Sequence, residues 1–308
     1  MNALVTGIDG FVGPHLARHL KKTGYSVIGT YLSDLEQSES SYHMDVTDPA
    51  EVNSVIGEVK PDAIFHLAGF SSVSASFKDP DACMAINAGG TKNLLDGVIA
   101  AGIKPKVLVV SSAEVYGNPS KIPVTEKSPV QPMSPYAESR VKQEAICRDY
   151  VKDKKLHIVI SRSFNHSGPD QKDAFVLPSF AKQIALIERG MQDSIQVGNL
   201  DVVRDFSDVR DVVVAYQLLL EMGKQGDVYN VCSGAGFSIK ALLDKIVDMA
   251  GVTVAVEQDP SRLRPSDIPV LIGDNRKLKN KTGWKATHTI DSTLVDLLGE
   301  WRGKELDA

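Results

Sequence analysis

Short apolar runs alternate with longer stretches in which apolar residues return every three or four positions. Ala3 to Val5, Ser26 to Thr30, Ala63 to Leu67, Val107 to Val110 and Ile158 to Ile160 are mostly apolar and rich in β-branched residues. That is the pattern of parallel strands buried on both faces. Between them, Phe11, Leu16 and Leu20 form one stripe, with Pro14 tolerated in a first helical turn. Thr47 to Glu51 reads as a helix start, Cys83 to Ala101 as a long helix closed by Gly102, and Pro135 to Val151 as another with proline near its start. The alternation predicts an α/β protein built on a Rossmann-type, doubly wound parallel sheet.

The texture changes after Arg162. Residues 165–172 are polar and turn-rich; helices are expected over Phe175 to Arg189, Val209 to Met222 and Ser238 to Ala250, and short strands at Gln196-Val197, Asp227 to Cys232 and Val252 to Glu257. No segment reads as a linker or a repeat. The expected organisation is residues 1–162 as a dinucleotide-binding domain, taking strands from the second half, and residues 163–308 as a smaller α/β substrate domain.

Composition narrows the function classes. The formal charge is −5 and there is no basic tract, so a nucleic-acid partner is not expected. Cys83, Cys147 and Cys232 are widely spaced and odd in number, which fits reduced core thiols and not a disulfide framework or zinc site. Met1 leads directly into a strand and no apolar run could span a bilayer, so a cytoplasmic enzyme without a membrane partner is expected. His15 and His19 share a helix face at a spacing metals use, but no third ligand is evident; a solvated face is expected, and no metal.

The candidate chemistry begins at Gly7-Ile8-Asp9-Gly10-Phe11-Val12-Gly13, between the first strand and the first helix. Strand, glycine turn and helix in that order aim a helix N-terminus at a pyrophosphate. Gly7 permits the turn, Gly10 a close approach to phosphate, and Gly13 contact between helix and strand. At the end of the second strand an acid would accept the ribose hydroxyls of NAD and an arginine would meet the extra phosphate of NADP. Tyr31 stands there, followed by Leu32, Ser33 and Asp34, so NAD and NADP both remain open. Asp45, before Val46, is placed to accept the adenine amino group or to cap a turn. Leu67-Ala68-Gly69 offers small residues on which ribose and nicotinamide would lie, with Ser71 and Ser72 beyond; His66 reads as structural.

Ser112, Tyr136 and Arg140 carry the reaction in this reading. Ser112 closes the fifth strand at the carboxyl edge of the sheet, where ligands bind. Tyr136 and Arg140 lie four residues apart on one helix face. A fixed cation beside a tyrosine favours the phenolate, and such a phenol can protonate a carbonyl oxygen as hydride arrives. Ser112 would hold the same oxygen.

These elements, together with Asp45-Val46, Asn87 and Gly90-Thr91, resemble the extended short-chain dehydrogenase/reductases over nearly the whole chain. Asn165 to Pro169, Phe175-Val176, Val197 to Asp201, Arg204-Asp205, Arg264-Pro265 and Gly273-Asp274 are similar to GDP-mannose 4,6-dehydratases and to the related GDP-6-deoxy-4-keto-mannose reductases. The resemblance implies a GDP-sugar substrate facing Asn165, Arg204 and Arg264, with Ser71, Ser72, Glu114, Val176 and Asp267 completing its site. Asp9, Phe11, Val12, Tyr31, Val46, Tyr136 and Arg140 would join the cofactor site, and a homodimer through the helices at 83–101 and 135–151 is implied. Two departures stand out. Arg140 occupies the place of the family's usual Lys; it keeps its charge but is a poor proton relay. Ser112-Ala113-Glu114 replaces the dehydratases' Thr-Ser-Glu or Thr-Asp-Glu, leaving no hydroxyl or acid at its centre, and the basic pair after Phe-Val is missing. The expectation is therefore NAD(P)H-dependent reduction of the 4-keto group of GDP-4-keto-6-deoxy-D-mannose to GDP-D-rhamnose. The alternatives are GDP-mannose 4,6-dehydratase, a nucleotide-sugar 4-epimerase and a silent cofactor sensor.

Overall fold

A computed structural model describes residues 1–33, 40–263 and 267–306. In the first half β1 (Asn2–Thr6) leads to α1 (Val12–Lys22), β2 (Ser26–Tyr31) and β3 (Ser41–His43), and α2 (Pro49–Val59) to β4 (Ala63–His66). Two short helices, α3 (Val73–Ser76) and α4 (Pro80–Met84), precede a π turn at Ala85–Gly89 that runs into α5 (Gly90–Ala100). Then come β5 (Lys106–Ser112), a 3-10 turn at Ala113–Tyr116, α6 (Pro135–Lys154) and β6 (His157–Ser163). Side-chain caps fix the helix starts: Asp48 accepts from the N–H groups of Ala50 and Glu51 ahead of α2, and Ser134 from Ala137 ahead of α6, each with proline in the first turn. The single helix expected over 83–101 instead starts at Pro80 and is widened by the π turn.

The second half adds β7 (Asn165–Ser167), α7 (Val176–Glu188), β8 (Ser194–Val197), β9 (Val203–Asp208), α8 (Val209–Met222) and β10 (Val228–Val231). It ends with β11 (Gly236–Ser238), α9 (Ile239–Ala250), β12 (Ala255–Gln258), β13 (Val270–Leu271), α10 (Arg276–Thr282) and α11 (Ile290–Gly303).

Seven parallel strands form the main sheet in the order β10-β6-β5-β4-β1-β2-β3. The chain steps outward from β1 to β3, then returns on the other side at β4. That reversal opens a crevice at the carboxyl ends of β1 and β4, the place where doubly wound sheets bind ligands. β10 belongs to the second half, and its register of Val228 with Ile160 returns a strand across residue 162. α8, α10 and Trp284 join β1, β4 and β5 in one core, so the second half also supplies one face of the main sheet. A second core gathers α7, α9 and α11 over β8 and β9, with Trp301 among them. There β9 is flanked by β11 and β13 and pairs with β7, while β8 pairs with β12.

His66 ties the layers together. Its Nδ1 lies 2.8 Å from Thr6 Oγ1 and its Nε2 3.0 Å from Thr91 Oγ1. Burial, then the charge of Arg140, push its pKa down from 6.5 to about 3. The unfolded chain therefore takes up this proton first as pH falls, and the stability tied to neutral His66 is present above the unfolded value and lost toward the folded one. We expect a loss of up to about 1.4 kcal/mol per pH unit on acidification below pH 6.5. Urea unfolding at pH 7 and pH 5 should show a smaller drop for His66→Gln than for the parent; equal drops would contradict it. His15 and His19 do not form the solvated face expected of them. His15 is buried with its Nε2 2.9 Å from the Pro169 carbonyl, and His19 Nε2 contacts Gln217 Oε1, because α8 packs along α1.

Candidate active site

The cleft at the strand-order reversal has a volume of about 720 Å³. Gly7, Asp9, Gly10, Tyr31, Asp45, Val46, Leu67, Ala68, Gly69, Ser71 and Ser72 all line it, so it brings together most of the cofactor candidates. Ser71 and Ser72, expected on the sugar, share the cleft with them. Thr30 and Leu32 line it too, and Met44, Thr47, Phe70, Ala82, Ala85 and Ile86 complete the lining without a signal in the sequence that marks them as site residues. They are small or apolar residues in turns and on a helix face, where nothing in their spacing separates a ligand wall from ordinary core.

The glycine turn is built as the sequence suggests, with one change. Gly7 has φ +69°, and a Cβ there would come 2.9 Å from the Ala68 Cα. Gly13 is required by the turn and not by the strand: its Cβ would lie 2.4 Å from the Ile8 carbonyl oxygen. Phe11 precedes α1 in helical conformation and no side chain caps the first turn. The N–H groups there are left to a ligand, which suits a pyrophosphate. Phe11 stacks on His166, with ring centroids 6.0 Å apart, and so joins the turn to β7. Val12 packs on the main core beneath. Asp45 lines the cleft and holds a turn, its Oδ1 accepting from the Thr47 N–H and hydroxyl.

Tyr136 stands in the first turn of α6, its backbone N–H donating to Ser76 Oγ at 3.1 Å. The Arg140 guanidinium lies 5.2 Å from the centroid of the Tyr136 ring. Its NH1 donates to the Val110 carbonyl and Gln143 Oε1, and its NH2 to the Phe70 carbonyl. Arg140 thus clamps the loop after β4 and the end of strand β5 to α6 beside the phenol ring. Its Nε is buried without a protein acceptor. Asn87, in the π turn, accepts from the Phe70 N–H and donates to Ser139 Oγ, fixing the same loop from the other side.

Ser112 ends β5, nearly buried, with its Oγ accepting from the Glu114 N–H at 3.2 Å. Its β6 neighbour Ser163 contacts the Tyr216 hydroxyl at 2.7 Å. Burial first, and the neighbouring Tyr136 among lesser causes, push the Tyr216 phenol up to about 12, so Tyr216 stays a neutral hydrogen-bonding partner at this end of the sheet. Ser163 and Tyr216 are site neighbours that no local sequence signal marks. Glu114 sits in the 3-10 turn just beyond.

The remaining candidates come from the second half. Asn165 begins β7 opposite Phe206, and Val176 opens α7 and packs on the second core. Arg204 is buried; its NH1 donates to the Ile268 carbonyl at 2.6 Å and its NH2 to Asp267 Oδ1 at 2.8 Å. Asp267 also accepts from Asn199. Arg204 and Asp267 were expected to touch substrate separately; the structure joins them as an ion pair. Asp205 points the other way on β9 and accepts from the N–H groups of Ser233, Gly234 and Gly273, a structural role. Arg264, like Asp34, lies outside the described residues. Among the described residues no cluster of three or more His, Cys, Asp or Glu could hold a metal, and no helix is long and apolar enough to cross a membrane.

A family model described as GDP-mannose 4,6 dehydratase matches residues 4–297. A GDP-6-deoxy-D-mannose reductase of Pseudomonas aeruginosa is 37% identical, covering 97% of each chain. The solved structure of RMD from Pseudomonas aeruginosa complexed with NADPH superposes with a TM-score of 0.86 at 36% identity, covering 98% of each chain. UDP-glucose 4-epimerase from Bifidobacterium longum, in complex with NAD+ and UDP, gives a TM-score of 0.87 at 30% identity, covering 97% of this chain and 98% of that one.

Proposed function

The chain belongs to the GDP-mannose 4,6-dehydratase family, and on that premise we propose that it is an NAD(P)H-dependent reductase of GDP-4-keto-6-deoxy-D-mannose, yielding GDP-D-rhamnose. The residues present fit a dinucleotide: an uncapped helix N-terminus behind Gly7, Gly10 and Gly13, an apolar cleft, and Asp9 and Asp45 at its polar end. A bound reduced nicotinamide supplies the hydride. Tyr136 donates its phenolic proton to the oxygen at C4, so the carbonyl becomes a hydroxyl and the phenol is restored from solvent. Ser112 orients that oxygen through its own hydroxyl. Arg140 holds the ring of Tyr136 and the loops around it; with its NH donors on Val110, Gln143 and Phe70, its role is positioning and not proton relay. Asn165, the Arg204–Asp267 pair, Ser71, Ser72, Glu114, Val176 and Arg264 are proposed to line the sugar-nucleotide side. The division at residue 162 is kept as a functional one, since the first part carries the glycine turn and the phenol, and the second the proposed GDP side. The reading also includes a homodimer through the helices at 83–101 and 135–151, where Met84 and Ile99 are partly exposed. It places the protein in the cytoplasm, in keeping with three buried, unpaired cysteines.

The observation that carries reduction over elimination is Ala113, whose buried methyl replaces a hydroxyl or acid between Ser112 and Glu114. Expulsion of the C6 hydroxyl needs an acid and a base beyond the C4 pair; reduction needs only the phenol and the hydride. Glu114 favours a second reading, GDP-mannose 4,6-dehydratase, because it retains one carboxylate at the turn. Supplying the keto sugar with reduced cofactor and, separately, GDP-mannose with oxidised cofactor distinguishes them. Reduction predicts stoichiometric cofactor oxidation with the keto sugar; dehydration predicts turnover of GDP-mannose with no net cofactor change.

A further inference from the structure

We propose that the cofactor site selects NADH over NADPH; this rests on the dinucleotide reading above and extends it to the adenosine ribose. The tip of β2 is where a doubly wound sheet meets the ribose 2′ position: a carboxylate there favours the hydroxyl of NAD, an arginine the phosphate of NADP. Here the tip carries Tyr31, Leu32 and Ser33. The two backbone donors that turn inward, Leu32 N–H and Ser33 N–H, both go to Asp9 Oδ2 at 3.3 Å. The donors that could cradle a phosphate are therefore already held by a carboxylate.

Charge points the same way. Among the described residues lining the cleft there is no Lys or Arg, while Asp9 and Asp45 both face it. His43, edge-on to Tyr31, lies 3.2 Å from Glu51 Oε2 and is already engaged by that carboxylate. A 2′-phosphate brings about two further negative charges to a cleft whose described lining holds Asp9 and Asp45 and no Lys or Arg, and where the Leu32 and Ser33 N–H groups are already taken by Asp9. A ribose hydroxyl needs only an acceptor, and Asp9 provides one.

Titration of the full chain with NADH and with NADPH, followed by nicotinamide fluorescence without sugar, tests this. NADH should bind at least about tenfold tighter at low ionic strength, and the ratio should narrow as salt shortens the screening length. Asp9→Asn keeps an acceptor for the turn but removes the charge, and should move the ratio toward NADPH. A merely structural role for Asp9 would weaken both nucleotides alike. NADPH binding as tightly as NADH, or a ratio unmoved by Asp9→Asn, overturns the preference alone. Binding of neither nucleotide to the parent chain overturns the dinucleotide reading along with it.

Discussion

Tyr136→Phe should lower turnover of the keto sugar by about 10²–10⁴-fold, the usual worth of a positioned general acid, while binding of the reduced cofactor stays close to that of the parent. The change removes one oxygen and keeps the ring. The Arg140 guanidinium still has that ring at 5.2 Å, and its hydrogen bonds to Val110, Gln143 and Phe70 do not involve the phenol. The backbone bond from Tyr136 to Ser76 also survives. The defect should therefore fall on kcat and not on folding or on nucleotide affinity. Single-substrate kinetics beside a cofactor titration read both at once. A variant that turns over at the parent rate would remove the phenol from the mechanism. A protein that only senses cofactor would show no change in any nucleotide-dependent property.

Glu144→Ala should destabilise the fold by about 3–5 kcal/mol, the cost of leaving one partner of a buried ion pair uncompensated. Glu144 lies on the buried face of α6 and accepts from Ser111 Oγ at 2.8 Å, from Arg162 Nε at 2.9 Å and from Arg162 NH2 at 2.8 Å. One carboxylate thus joins α6 to β5 and β6, at the residue next to Ser112. Arg162 is itself buried and covers the Tyr116 ring at 4.8 Å. Burial works against its charge, but hydrogen bonding and the charge of Glu144 outweigh it and hold the guanidinium above its ordinary value. Removing Glu144 strands that cation. Arg148, which meets the same carboxylate from a half-exposed position, is a control: Arg148→Ala should cost less than about 1 kcal/mol. Denaturant midpoints for the two variants decide it, and equal losses would contradict a buried counter-charge role.

The main sheet was legible in the sequence because parallel strands buried on both faces leave short apolar runs that polar helices interrupt. β1, β2, β4, β5 and β6 fall within a few residues of their expected places, and α8 begins and ends where its pattern does. β9 was not legible: Arg204 and Asp205 interrupt its apolar pattern, and each is buried by partners far away in sequence, Asp267 and Ser233. β11 and β13 are three and two residues long, too short for periodicity to register. α11 starts at a capping box formed by Thr289 and Ser292, a local signal that marks its first turn alone. In the site, the glycine turn and the Tyr136–Arg140 spacing could be read because the chemistry is local in sequence. The Ser163–Tyr216 contact and the Asp9 grip on Leu32 and Ser33 could not, since both are made across the fold.

Transfer of label to the sugar tests the central claim most directly. The full chain is given GDP-4-keto-6-deoxy-D-mannose and cofactor carrying deuterium at the transferred position, and the product is read by mass and by NMR. The account predicts a GDP-6-deoxyhexose with one deuterium, bound to C4, and one cofactor oxidised for each sugar reduced. An unreacted keto sugar, with a parallel sample of GDP-mannose and oxidised cofactor converted without net change in the cofactor, would contradict it.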